Sequence, residues 1–263
     1  MPVLSLLSCK ILQDEIVWLL GNDSQITNIV IVANENISEF TEKLDEQHTS
    51  YEITPIEKIT KALENVDKNE FVVVVNILEL GLHEVPKELK SQVYQNIEKM
   101  TPFSKGILIF YGLCGNVLGN VEEDFCLEKD DCIVRILRDD ERIVDDCIAA
   151  TVGGCANYLK LLKEHSKEPA FFFTPMYASS WRELLAPERY HSDPEEAMKM
   201  AKMVNDCGGY SRVAKVKTGL TYVKDIDKKI EEYAELFGYS IFEICGSQEL
   251  FEKCYRSIKD EIS

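Results

Sequence analysis

Apolar runs rich in β-branched and aromatic residues recur along the chain at 26–33, 71–78, 106–111, 132–137, 170–174, 210–216 and 239–245. Each is almost continuously apolar, the pattern of a strand covered on both faces, where neither side chain row meets water. Between them lie segments with the 3.6-residue period of helices, at 37–47, 86–100, 145–164, 193–206, 225–237 and 248–262. The ends of several are legible. Ser192-Asp193-Pro194-Glu195 opens one with a capping side chain and an early proline, Cys207-Gly208-Gly209 closes it, and Gly238 closes another.

Strand and helix therefore alternate, which predicts an α/β fold with a largely parallel, Rossmann-like sheet, or two or three small α/β subdomains. No repeat, low-complexity segment or Pro/Gly/Ser-rich linker marks a boundary. The division is placed before "AFFFTP", giving an N-terminal part over 1–167 and a C-terminal part over 168–263.

Charge narrows the function classes. Twenty-nine Lys and Arg against 46 Asp and Glu leave a formal charge of −17, which repels nucleic-acid backbones and anionic membranes over most of the surface. No apolar run approaches the roughly 20 residues of a membrane span and no cationic leader precedes one, so a cytoplasmic protein is expected. The nine cysteines are odd in number, irregularly spaced and free of any CxxC pair. That pattern fits free thiols in a reducing compartment, and an anaerobic host, better than a disulfide framework.

The sharpest chemical signal is "KGILIFYGLCGNVLGN". In open α/β sheets, ligands bind beyond the C-terminal ends of the strands, and here Cys114 follows a buried strand, with Gly112, Gly115 and Asn116 around it. The spacing is not that of GxGxxG or a P-loop, so a thiol site is favoured over a phosphate site. A tight turn around an inert buried cysteine is the plainer alternative.

Three further residues occupy comparable places. Cys9 follows "VLSLL", His83 follows "FVVVVNIL", and Cys147 lies in the first turn of a helix beginning with Asp145 and Asp146. Zn²⁺ would accept Cys9, His83, Cys114 and Cys147 as a Cys₃His set, and an iron–sulfur cluster would accept the thiolates alone. Beside them, Thr174, Tyr177 and Trp181 in "TPMYASSW" form either an aromatic platform for a flat ligand or a cap on the core. Cys126 and Cys132 flank an acidic loop, while Cys155, Cys207, Cys245 and Cys254 read as packing residues. His48, His165 and His191 read as solvated.

The segments "LLSCKIL", "LGLHEVPKEL", "YGLCGN", "DDCIAATVGG", "TPMYASSW" and "GYSIFEICGS" occur in that order. Together they resemble an uncharacterised family of methanogens and other anaerobes, domain of unknown function 1638. The resemblance implies that Cys9, His83, Cys114 and Cys147 are its motif positions. It also implies a place in corrinoid-linked methyl transfer, with a corrinoid or methyltransferase protein as partner. "DERIVDDC" departs from the expected proline and arginine, so the resemblance carries over to Asp146 and Cys147 and assigns no role to Arg142, and no Asp-x-His-x-x-Gly corrinoid motif occurs. The expected function is a zinc or iron–sulfur protein of anaerobic one-carbon metabolism. The alternative is a non-catalytic accessory protein that binds a small molecule or a metallocofactor.

Overall fold

A computed structural model describes residues 1–80, 82, 85–126, 132–185 and 193–263. The first half contains β1 (Val3–Cys9), α1 (Gln13–Asn22), β2 (Asn28–Val32), α2 (Ser38–Glu46), β3 (Glu52–Thr54), α3 (Ile56–Leu63), β4 (Val72–Leu78), α4 (Pro86–Met100), β5 (Gly106–Phe110), α5 (Val121–Cys126) and β6 (Ile133–Ile136). These six strands form one parallel sheet in the order β3-β2-β4-β1-β5-β6. The α/β alternation read from the sequence is therefore the architecture of the protein.

The near-continuous apolar runs have the expected cause. Val73, Val75 and Ile31 pack to one side of the sheet, while Val72, Val74, Val30 and Val32 meet Ile59 and Leu63 of α3 on the other. All seven residues of β1 are buried, and its polar Ser5 is satisfied by Ser104 at 2.6 Å.

Strand order fixes where a site can open. The chain leaves β1 toward β2 on one side and leaves β5 toward β6 on the other, although β1 and β5 are hydrogen-bonded neighbours. Their C-terminal connections diverge, and this switch point is where open α/β sheets form a ligand crevice.

A two-stranded antiparallel hairpin follows, β7 (Arg138–Asp139) and β8 (Arg142–Ile143), and then α6 (Cys147–Thr151) and α7 (Cys155–Glu164). The periodicity over 145–164 predicts one helix, but Gly153 and Gly154 take φ of 89° and 111° and break it in two. A side chain at Gly154 would strike the Asp139 carboxylate.

The remainder is β9 (Ala170–Phe173), α8 (Pro175–Leu185), α9 (Pro194–Cys207), β10 (Arg212–Lys217), α10 (Ile226–Phe237), β11 (Ser240–Cys245) and α11 (Glu249–Ile262), with a parallel sheet in the order β11-β10-β9. The proposed division at 167 falls between α7 and β9. Two elements nevertheless tie the halves together. α8 packs on the turn Lys10–Leu12 after β1, and α11 returns to cover β5, where Phe251 stacks on Phe110 with ring centres 6.0 Å apart. Among the described residues, no helix is long and apolar enough to cross a membrane.

Candidate functional site

Three loops deliver thiols to the switch point. Cys9 ends β1, is 8% exposed, and receives the Ile11 backbone amide on its sulfur. The hydroxyl of Tyr111 lies against the same thiol and has no other hydrogen-bond partner among the described residues.

Cys114 leaves β5 on a strained turn. Cys114, Gly115 and Asn116 have φ of 44°, 76° and 66°, so two residues with a Cβ adopt the left-handed region, which side chains other than glycine disfavour. Strain of this kind persists only where its surroundings enforce it, and it clusters at functional sites. Here the enforcing contacts are backbone ones: Leu113 N–H donates to Val144 O at 2.8 Å and Cys114 N–H to Asp145 O at 3.3 Å.

Those bonds bring Cys114 to the start of α6, whose first residue is Cys147. Asp146 caps that helix by accepting the Ala149 amide at 2.7 Å. Gly112 permits the approach, since a Cβ there would lie 2.6 Å from Val144 O and 2.7 Å from Asp146 N. Gly112→Ala is accordingly expected to cost about 1–3 kcal/mol by overpacking and to part Cys114 from Cys147. Denaturant unfolding of the variant checks the first effect, and an unchanged midpoint would contradict the close approach.

The electrostatics favour neutral thiols in the absence of a cation. Burial, then the Cys114 thiol's neighbour Cys9, pushes Cys114 up to about 12. Burial likewise pushes Cys9 up to about 11. Cys147 is raised well above the ordinary thiol range by burial, then by Asp146, then by Cys9 and Cys114. Its helix N-terminus would favour the thiolate, but burial and the capping carboxylate outweigh that.

An acid kept protonated by the fold stabilises the folded state fully below its unfolded pKa, near 8.5 for a thiol, and loses that contribution as pH rises through the folded value. Metal-free protein is thus expected to lose stability above about pH 9. At pH 8, iodoacetamide should label the exposed Cys126, Cys207 and Cys245 before Cys9 and Cys114. Mass mapping of the labels checks the order.

The helix that follows β1 opens with a group of buried acceptors without donors. Gln13, Asp14 and Glu15, in the first turn of α1, are at most 2% exposed, yet Gln13 Oε1, Asp14 Oδ2 and Glu15 Oε2 have no hydrogen-bond partner among the described residues. Asp14 Oδ1 meets Lys43 Nζ at 2.7 Å. Burial, then the neighbouring Asp14, pushes Glu15 up to about 8. Glu15 adds the least of the named causes to the upward push on Cys147, behind burial, Asp146, Cys9 and Cys114.

Of the four expected metal ligands, Cys9, Cys114 and Cys147 are brought near enough to act on one another's ionisation. His83 lies outside the described residues. Pro86, the first residue of α4, reaches within 4.0 Å of the Cβ position of Gly115. Among the described residues, no three Cys, His, Asp or Glu side chains stand at the mutual spacing of a closed chelate.

The expected ligand-binding residues divide. Tyr177 borders a cavity of about 390 Å³ with Tyr158, Tyr210, Phe171 and Ile148, and the charge of Cys147 acts on both Tyr158 and Tyr177. Trp181 is not a platform. It is 3% exposed, edge-on to Tyr233 in the core of the second sheet and covered by the Arg182 guanidinium. Thr174 is likewise occupied, because its hydroxyl accepts the Tyr177 amide at the start of α8.

Gly115 and Asn116 shape the Cys114 turn, and Asp146 caps α6. Cys155 is packed as expected, whereas Cys207 and Cys245 are exposed on the surface rather than packed. None of the nine cysteines is joined in a disulfide among the described residues. The sequence reading passed over Gln13, Asp14, Glu15, Tyr111, Tyr158 and Tyr210. The available signal was "QDEIVWLL", where two acids adjoin a run too apolar to leave them a wet face.

No curated protein matches the chain, and neither does any solved structure. One family model matches, over residues 77–255, a span that includes His83, Cys114 and Cys147 and begins after Cys9. By that match over more than half its length, the chain belongs to the family described as "Protein of unknown function (DUF1638)".

Proposed function

We propose that the protein holds a metal centre at the switch point through Cys9, Cys114 and Cys147, with His83 as a further ligand. We place it in one-carbon metabolism of an anaerobic, reducing cytoplasm. The observation that carries this reading is an imbalance of buried groups. Three thiols from separate loops act on one another's ionisation, the first turn of α1 carries buried oxygens without donors among the described residues, and the buried Lys43 is committed to Asp14.

Buried acceptors without donors are costly, and a cation removes that cost at those it reaches. The donor set fits a soft or borderline metal, because thiolates select zinc or iron–sulfur clusters. Bound zinc would supply Lewis acidity that lowers the pKa of a substrate thiol, and a cluster would supply electrons. The chain's own part is to exclude water from Cys9, to fix Cys114 by its strained turn, and to offer the tyrosine-lined cavity beside the partly exposed Cys147 to an apolar substrate. A corrinoid or methyltransferase protein is the partner we propose, on the strength of the family resemblance.

The cavity also favours one second reading, a small-molecule or metallocofactor-binding accessory protein in which Tyr158, Tyr177 and Tyr210 provide the contacts and no turnover occurs. The test is metal and sulfide analysis, with an absorption spectrum, on protein purified without oxygen. Stoichiometric zinc, or iron with sulfide, supports the metal centre. Protein that is colourless, metal-free and unable to take up Zn²⁺ or Fe²⁺ overturns it in favour of the accessory reading.

A further inference from the structure

The cavity of about 390 Å³ between α7 and the second sheet is walled chiefly by aromatic rings: Tyr158 from α7, Phe171 and Phe172 from β9, Tyr177 from α8 and Tyr210 just before β10. Its size is that of a small-molecule site, for which roughly 300–1,000 Å³ is usual. Tyr158, Phe171, Tyr177 and Tyr210 are half-buried, whereas Phe173, Trp181 and Tyr233, the rings sealed in the core behind them, are at most 4% exposed. The cavity rings therefore keep surface that a ligand can cover.

The cluster behind them holds these rings in place. Phe171 stacks on Tyr210 with ring centres 3.9 Å apart, Tyr177 leans on Phe173 at 4.8 Å, and Tyr158 stands edge-on to Phe172 at 5.7 Å. Walls fixed in advance lose little freedom when a ligand arrives.

Charge decides which ligand suits them. Among the described residues, no Lys, Arg, Asp or Glu side chain lines the cavity. Arg212 touches the lining through His165 but is committed elsewhere, with its guanidinium 4.6 Å over the Phe242 ring, 2.8 Å from the Glu168 carbonyl and 3.3 Å from the Glu168 carboxylate. It donates to His165 Nδ1 at 3.1 Å, and an imidazole that accepts there is uncharged, with its proton on Nε2. No fixed positive charge faces the space.

Partial negative charge does. Leu162 and His165 bring the carbonyl end of α7 to the cavity, and Ile148 lies two residues beyond the Asp146 carboxylate that caps α6. The opposing positive end of α8 is partly spent on its own cap, because the Tyr177 amide donates to the Thr174 hydroxyl at 3.1 Å. Burial, then Cys147 and Tyr210, pushes the Tyr177 phenol up to about 12, as expected of surroundings that resist an anion.

We propose that this cavity binds an organic cation with an alkylated ammonium head, its alkyl groups packed against the rings of Tyr158, Phe171, Tyr177 and Tyr210. The inference rests on the reading of the cavity as a small-molecule site, and narrows the apolar substrate named above to one whose apolar shell surrounds a charge. Aromatic faces attract such a cation within about 6 Å of the ring centre, most strongly where water is excluded. Neither an anion nor a neutral body of the same shape receives that attraction.

The test is calorimetric titration of full-length protein with tetramethylammonium, with choline, and with 3,3-dimethylbutan-1-ol, which has the shape of choline without the charge. Choline is expected to bind at least about tenfold more tightly than the neutral alcohol. Tyr158→Leu and Tyr210→Leu should each weaken choline binding about fivefold or more, while Tyr158→Phe and Tyr210→Phe, which keep the ring, should stay within about twofold of wild type.

Equal binding of choline and the neutral alcohol overturns the cation assignment and leaves a small-molecule cavity standing. Phe variants that lose as much as the Leu variants also overturn it, since the contacts would then be hydrogen bonds of the hydroxyls. Wild type that binds none of the three at about 10 mM, an affinity weaker than about 3 kcal/mol, removes both the cation and the small-molecule reading of the cavity. If the Leu variants fail to fold, the comparison of choline with its neutral counterpart on wild type decides. Metal content measured on the same samples judges the metal centre separately, because none of these outcomes depends on a bound metal.

Discussion

Cys114→Ser is expected to strip the protein of its metal, and Cys9→Ser and Cys147→Ser are each expected to do the same. The three thiols come from the end of β1, the turn after β5 and the start of α6, so no two of them are neighbours in the chain that could compensate for the third. Serine is nearly isosteric with cysteine but offers a hard, weakly acidic oxygen where the centre needs a thiolate. Losing an outer partner of a ligand costs about 10–100-fold in metal affinity, and losing the ligand itself should exceed that. The internal control is the set of exposed thiols, Cys126, Cys207 and Cys245. Serine at those positions should leave metal content unchanged. Elemental analysis of the six variants decides the matter: equal metal in Cys114→Ser and wild type would reduce Cys114 to a thiol in a tight turn.

Much of this arrangement was legible in the sequence, for a physical reason. Buried parallel strands must be apolar on both faces, so their ends are sharply marked, and Cys9 and Cys114 stand at two such ends. The sequence could not reveal that β1 and β5 are neighbours whose connections part. Strand order depends on which non-local pairing buries most surface, and no local pattern records it. Cys147 was readable as a first-turn residue because Asp146 has the chemistry of a cap.

What escaped the reading escaped through local ambiguity. β3 is three residues long with two of them exposed, too short to show a period. α8 begins directly at Pro175 after β9, so its first turn reads as the end of a strand. Gln13, Asp14 and Glu15 look like the acidic first turn of a solvent-facing helix, where the macrodipole welcomes them. The structure buries that turn beneath α8, and Met176 accepts hydrogen bonds from Gln13 Nε2 at 3.1 Å and from Lys43 Nζ at 2.9 Å. A helix that is also covered at its start cannot be recognised from its own periodicity.

Lys43 is the residue on which that burial depends, and Lys43→Met is expected to destabilise the protein by about 3–5 kcal/mol. Lys43 is 5% exposed, and its ammonium stands 2.7 Å from Asp14 Oδ1 and 3.1 Å from Glu39 Oε1. Removing it leaves Asp14 as a buried carboxylate with no counter-charge, which is far more costly than never having had the pair. Burial already raises Asp14 above the ordinary carboxylate range, against the pull of Lys43, and without the lysine it must rise further. A raised acid destabilises the folded state at pH values above its unfolded pKa, near 3.9, and the deficit shrinks as falling pH restores its proton. The variant's deficit relative to wild type should therefore be smaller at pH 5 than at pH 8. Adding Asp14→Asn should recover part of it at pH 8 and little at pH 5. Urea unfolding of the metal-free single and double variants at both pH values checks the cycle. A deficit that did not change with pH would mean that Lys43 acts through the packing of its stem, and that the carboxylates of α1 are less burdened by burial than their missing partners imply.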